Sequence, residues 1–184
     1  MQGLITESQF NAIKISYLQR LPLDVLFLQE THISTPQLEL KFKQTFSQFY
    51  SCWNSNCGIL IKSPSLLPTN PKSYLNDRIL TLNITWNSSN IPLVCVYAPA
   101  QNSISKSSFF EQCIDLPFSF TDCIWAGDFN CWTNPLTDHI PNTYLPPYGH
   151  MEFRQLQSWY GLIDSALTYQ ESYPPMTRHN YVGG

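Results

Sequence analysis

The chain has 184 residues and a net charge of −3, with 43% hydrophobic but only 12% charged side chains. This excludes a disordered chain, and a surface so poor in charge suggests either marginal solubility or a surface normally covered by something else. The ten Lys and Arg are scattered singly without a basic run, so the footprint of a strong electrostatic nucleic-acid binder is missing.

The first predicted helix runs from Thr6 to Arg20. Thr6 and Gln9 fit a capping box, and Phe10, Ile13, Tyr17, Leu18 and Leu21 fall on one face. Pro22 stops it. Leu23–Gln29 is a nearly continuous apolar run, as expected of a strand buried on both faces, and it ends in the polar cluster Glu30-Thr31-His32. A polar helix is predicted from Pro36 to about Phe46, and a second strand over Gly58–Lys62. Residues 63–77 are rich in Pro, Ser and Asn and read as a loop. Arg78–Thr85 alternates, predicting a half-buried strand with Ile79 or Leu80, Leu82 and Ile84 inward. Asn87–Asn90 reads as a hairpin turn into the strand Pro92–Tyr97, which Ala98-Pro99 ends. Ser105–Ile114 reads as a helix. Asp122–Gly127 is a strand leading directly into Asp128-Phe129-Asn130. Residues 133–150 read as a Pro- and Tyr-rich loop. Glu152–Tyr160 is a helix with Phe153, Leu156, Trp159 and Tyr160 inward and Gly161 as its stop.

Strands joined here by helices and there by hairpins make a mixed α/β domain. No apolar run approaches the roughly 18 residues of a membrane span, and MQGLITESQ lacks the basic start and apolar stretch of a signal peptide. The default expectation is an intracellular protein without membrane contact. Cys52, Cys57, Cys95, Cys113, Cys123 and Cys131 form no C-x-x-C pair, and they read as buried free thiols of a reducing compartment.

The polar groups at the ends of apolar strands are the candidates for chemistry: Glu30, Tyr97, Asp128 and Asn130. Strand ends in layered α/β folds converge on a cleft. Two carboxylates from separate strands, with an amide and a phenol, suit a hard, oxygen-ligated cation and phosphoryl chemistry. Each residue alone has a plainer reading. Glu30 could end a loop in solvent, Asp128 could form a turn, and Tyr97 could be a buried aromatic with its hydroxyl satisfied. Trp53, Trp125, Trp132 and Tyr148 read as core or loop anchors before base-stacking groups. Periodicity and spacing alone reach a mixed α/β domain with a candidate metal site.

Three stretches in order, Asp24–His32 (DVLFLQETH), Pro92–Pro99 (PLVCVYAP) and Ala126–Asn130 (AGDFN), together resemble the endonuclease/exonuclease/phosphatase superfamily. Gly161–Asp164 (GLID) adds to the likeness. QETH and Asp138 look most like the retrotransposon branch beside the apurinic/apyrimidinic endonucleases. The resemblance implies a four-layer α/β sandwich, two mixed sheets flanked by helices, as one partial domain over residues 1–184. It implies Glu30 as metal ligand, Asp128 as the group that orients or deprotonates water, Asn130 on the scissile phosphate and that water, and Tyr97 as a phosphate donor. Thr177 matches a family threonine only loosely, and His32 is read as structural or surface. Mg²⁺, with Mn²⁺ as alternative, would be the cofactor. DNA would be the substrate of a nuclear, monomeric nicking enzyme that works beside a reverse transcriptase domain.

The sequence also departs from the family. The first strand with its metal-site asparagine is expected to be missing, as is the final serine–aspartate–histidine segment, so impaired activity is expected. The alternative is a non-catalytic relic or interaction module of a degenerate retroelement. Lipid and inositol-phosphate hydrolases of the superfamily are a poorer match, because neither lipid-facing loops nor a basic phosphate pocket is evident.

Overall fold

An apolar strand such as Val25–Gln29 is stable only if both faces of its sheet are covered, and here both are. The structure is a computed structural model that describes residues 8–100, 103–117, 123–131 and 149–165. The chain divides into two compact units, Met1–Ala98 with Asp122–Phe129, and Pro99–Thr121 with Asn130–Gly184.

In the first unit, β1 (Val25–Gln29) and β2 (Tyr50–Trp53) both pair antiparallel with β3 (Cys57–Ile61), giving a three-stranded sheet of order β1-β3-β2. A second sheet has the order β4-β5-β6-β7, from Leu67–Tyr74, Ile79–Trp86, Ser89–Tyr97 and Ile124–Asp128. Its first two pairings are antiparallel and β6–β7 is parallel. Only this second sheet is mixed among the described residues.

Helices α1 (Ser8–Arg20) and α2 (Pro36–Thr45) cover the outer face of the first sheet. Leu18, Leu26, Leu28, Phe42, Phe46, Trp53 and Leu60 form the core there. The inner face carries Cys57, Ile59 and Ile61 against Leu80, Leu82, Ile84, Leu93 and Cys95 of the second sheet. Each such aliphatic side chain contributes about 1.5–3 kcal/mol when removed from water. Helix α2 starts with Thr35 as N-cap, its hydroxyl accepting from Leu38 N at 3.3 Å, and with Pro36 in the first turn. Layered sheets and helices bear out the α/β sandwich expected from the sequence.

In the second unit, α3 (Ser103–Ile114) and α4 (His150–Tyr160) pack together. The Phe110 and Phe153 rings lie 5.0 Å apart, and the Tyr160 hydroxyl donates to Cys113 O at 2.9 Å. Gly161 ends α4 in the left-handed region, with Leu162 N donating to Gln157 O. No described helix is long and apolar enough to cross a membrane.

Several elements differ from the sequence reading. On α1, Ile13 and Tyr17 face solvent, and the buried stripe is Ile15 and Leu18, three residues apart, with Leu21 beyond. Tyr17 lies a third of a turn from Leu18, so both cannot face the sheet. Residues 67–74, read as loop, form β4. Pro68 and Pro71 are tolerated because β4 is an edge strand with a register shift between Thr69 and Lys72. The β5–β6 turn is tighter than expected. Asn87 and Ser88 both have positive φ (47° and 66°), and Ser89 and Asn90 already pair in β6. The short strand β2 was not anticipated. On α4, Trp159 is 66% exposed while Phe153, Leu156 and Tyr160 are buried. The predicted start at Thr6, the loop 133–148, Asp138 and Thr177 lie outside the described residues.

Candidate active site

Strand direction brings Glu30, Tyr97 and Asp128 to one end of the two sheets. β1 ends at Gln29 opposite the start of β3 at Cys57, so Glu30 emerges beside the β2–β3 turn. β6 ends at Tyr97, whose parallel register partner on β7 is Asp128. The Tyr97 hydroxyl donates to Glu30 Oε1 at 2.9 Å, a bond between the last residue of β6 and the residue after β1, strands of different sheets. The Ala98 amide donates to Asp128 O at 2.8 Å and locks the end of β7 to the end of β6. The structure therefore unites Glu30, Tyr97 and Asp128. Asn130 follows Asp128 by two residues at the start of the second unit, with φ of 47°, and its carbonyl accepts from Lys106 Nζ at 2.9 Å.

Local backbone geometry shows how firmly this end is held. Glu30 and His32 have φ of 55° and 53°, while Thr31 between them is fully buried and its hydroxyl donates to Asn54 O at 2.8 Å. A non-glycine residue in the left-handed region costs about 1–3 kcal/mol and persists only where its surroundings enforce it. His32 itself is exposed, in keeping with a surface role. On β7, a Cβ at Gly127 would sit 2.0 Å from Val96 O, so only glycine lets the chain deliver Asp128 this close to β6.

One basic residue at this end was missed by the sequence reading. Arg78 lies just before β5, whose Ile79 pairs with Val96. Its Nη1 donates to Tyr97 O at 3.1 Å, its guanidinium sits 5.3 Å from the centre of the Tyr97 ring, and its carbonyl accepts from Tyr97 N at 2.9 Å. In sequence Arg78 is a lone cation ahead of an apolar strand, and only the hairpin register reveals its neighbour. Burial raises the Tyr97 hydroxyl above its ordinary pKa. The hydrogen bond to Glu30 and the charges of Glu30 and Asp128 push the same way, and Arg78 opposes them. Beside this, Asp77 accepts from Ser73 Oγ and from Ser55 Oγ, which hold its carboxyl below the usual range.

The other sequence candidates resolve simply. Cys57, Cys95 and Cys113 are buried as expected, whereas Cys52, Cys123 and Cys131 are only partly buried. Trp53 is a core residue between Phe42 and Phe46, and the Trp125 indole donates to Cys123 Sγ. Trp132 and Tyr148 lie outside the described residues. Among the described residues no three His, Cys, Asp or Glu side chains gather to hold a metal by themselves. Mg²⁺ does not require three, since one or two carboxylates with water and substrate phosphate are its usual set. Glu30 and Asp128 each offer carboxylate oxygens, the donor type that ion takes.

Two packed sheets with helices are a fold this chain shares with solved structures of an endonuclease domain and of an endonuclease/exonuclease/phosphatase family protein. No protein-family model matches the chain and no curated protein matches it in sequence, so this likeness is one of fold. It is similar to the endonuclease domain of TRAS1, a telomere-specific non-LTR retrotransposon, at TM-score 0.59 and 13% identity over 86% of this chain and 70% of that one. An endonuclease/exonuclease/phosphatase family protein from Leptotrichia buccalis gives TM-score 0.57 and 13% identity over 89% and 72%. D. rerio TDP2 complexed with single-strand DNA product gives 0.51 and 15% over 87% and 63%. The chain spans from 44% to 63% of the TDP2 structures it matches.

Proposed function

We propose that this chain is a Mg²⁺-dependent phosphodiesterase domain that nicks DNA, as the endonuclease of a LINE-type retroelement. The observation that carries the reading is the bond from Tyr97 to Glu30, with Asp128 in register beside Tyr97. That pairing joins the ends of two sheets and places two acidic side chains about one phenol. Retroelement and DNA enter from the similar structures, one an endonuclease domain of a non-LTR retrotransposon and one complexed with a DNA product.

In this reading Glu30 would hold the ion, whose chemistry would be to neutralise charge developing on the phosphate. Asp128 orients the attacking water and takes its proton. Asn130 contacts the scissile phosphate and steadies that water, and Tyr97 serves as a phosphate donor. A phenol has a single proton to donate, so Tyr97 would serve the phosphate by turning from Glu30, where the structure directs that proton, to the substrate. The domain would act as a monomer in the nucleus, beside a reverse transcriptase domain in a full-length element.

Plasmid nicking by the purified chain in Mg²⁺, with Mn²⁺ in parallel, tests the proposal. Nicked circles should form, and Asp128→Ala and Glu30→Gln should each slow them by on the order of 10² or more. Nicking unchanged in both variants would overturn it. A chain whose melting temperature rises with Mg²⁺ through Glu30, yet which leaves the plasmid intact, would instead be the non-catalytic relic.

A further inference from the structure

We infer that Arg78 is a positioning residue: it clamps Tyr97 by its backbone carbonyl and by its ring face, and so fixes the phenol that orients Glu30. The inference rests on the nuclease reading for its catalytic consequence, but its geometric content stands apart from that reading.

Three contacts make the clamp. Arg78 donates from Nη1 to Tyr97 O at 3.1 Å, receives the Tyr97 amide at its own carbonyl at 2.9 Å, and lays its guanidinium 5.3 Å from the ring centre. The first two fix the Tyr97 backbone at the last residue of β6. The third restrains the ring, because a cation within about 6 Å of an aromatic face is attracted to it. Planar, delocalised and always charged, a guanidinium can stack and donate in this way, and a lysine ammonium cannot do both. The phenol hydroxyl is thereby held at 2.9 Å from Glu30 Oε1. Glu30 needs such help, since it leaves β1 in the left-handed region, with φ of 55°, on a segment anchored by Thr31.

The charged groups facing Tyr97 come from three elements: Glu30 after β1, Arg78 before β5, and Asp128 on β7.

The experiment compares the chain with Arg78→Lys and Arg78→Ala, each in the Tyr97 and the Tyr97→Phe background. Turnover in Arg78→Ala should fall on the order of ten- to a hundred-fold with KM little changed, the size expected when a catalytic group is displaced. Arg78→Lys should recover only part of it. In the Tyr97→Phe background the same substitution should do almost nothing, since the hydroxyl through which Arg78 acts is gone. A raised KM with unchanged turnover would make Arg78 a substrate contact and overturn the inference, as would equal losses in both backgrounds.

A second readout needs no metal and no activity. Crystal structures of the unaltered and Arg78→Ala chains should show the Tyr97 hydroxyl moving away from Glu30 Oε1 in Arg78→Ala; the unaltered chain holds it at 2.9 Å. No movement would overturn the clamp even in an active enzyme. Movement in a chain that does not nick would refute the nuclease reading and leave the clamp standing.

Discussion

Gly127→Ala tests how β7 delivers Asp128. At this position φ is 147°, outside the range an alanine adopts without strain, and a Cβ would lie 2.0 Å from Val96 O and 2.8 Å from Val96 C and N. These are backbone atoms of the neighbouring strand, so they cannot rotate away as a side chain would. Backbone strain contributes about 1–3 kcal/mol and forced overpacking another 1–3 kcal/mol. Their sum, about 2–6 kcal/mol, is a large part of the 5–15 kcal/mol that stabilises a typical domain. Gly161→Ala is the control. Gly161 also has positive φ (61°) but nothing lies within 4 Å of its Cβ position, so only the left-handed penalty of about 1–2 kcal/mol applies. Urea unfolding of both variants at unchanged m-value gives the comparison. Gly127→Ala should unfold at clearly lower urea than Gly161→Ala. Equal midpoints would refute the claim that close approach to Val96 makes this glycine necessary.

Other substitutions probe what holds the first unit. Lys62 Nζ donates to Leu18 O at 3.3 Å, to Gln19 O at 2.9 Å and to Leu21 O, satisfying the last carbonyls of α1. Lys62→Met should therefore cost about 1–3 kcal/mol in urea unfolding, and a loss within error would show those carbonyls to be satisfied by water. Trp53 is buried and its Nε1 has no partner among the described residues. Trp53→Phe should stay within about 1 kcal/mol of the parent while Trp53→Ala loses about 3–5 kcal/mol. A loss in Trp53→Phe as large as in Trp53→Ala would mean the indole N–H is bonded. Ser73 and Ser55 depress the Asp77 pKa below its unfolded value, so its contribution is present above about pH 4 and fades as pH falls through the folded value. The stability gap between the parent and Asp77→Asn should shrink on going from about pH 6 to about pH 3, and a constant gap would contradict this.

How much was legible in the sequence depends on the physics behind each signal. β1, β3, β5 and β6 were readable because apolar runs long enough to form strands must be buried, and β7 from its apolar run although none of its residues is buried. β4 was hidden because an edge strand exposed to water carries no apolar alternation, and its prolines imitate a loop. Tyr17 and Trp159 misled because helical spacing gives the apolar arc but not which half of it docks. At the site, Glu30, Tyr97 and Asp128 could be named from strand ends and from motif order. Their meeting could not, since it depends on the register of β6 with β7 and on the packing of two sheets. Arg78 was invisible for the same reason, because it adjoins Tyr97 only through the β5–β6 hairpin.

The most direct test of the central claim is a crystal of the purified chain soaked in Mn²⁺ and measured for anomalous scattering. One ion should appear on a Glu30 carboxylate oxygen, at about 2.0–2.2 Å, with Asp128 reaching the ion or one of its waters. A peak bound elsewhere, or a Glu30 site from which Asp128 is too far to reach even a bound water, would contradict the account.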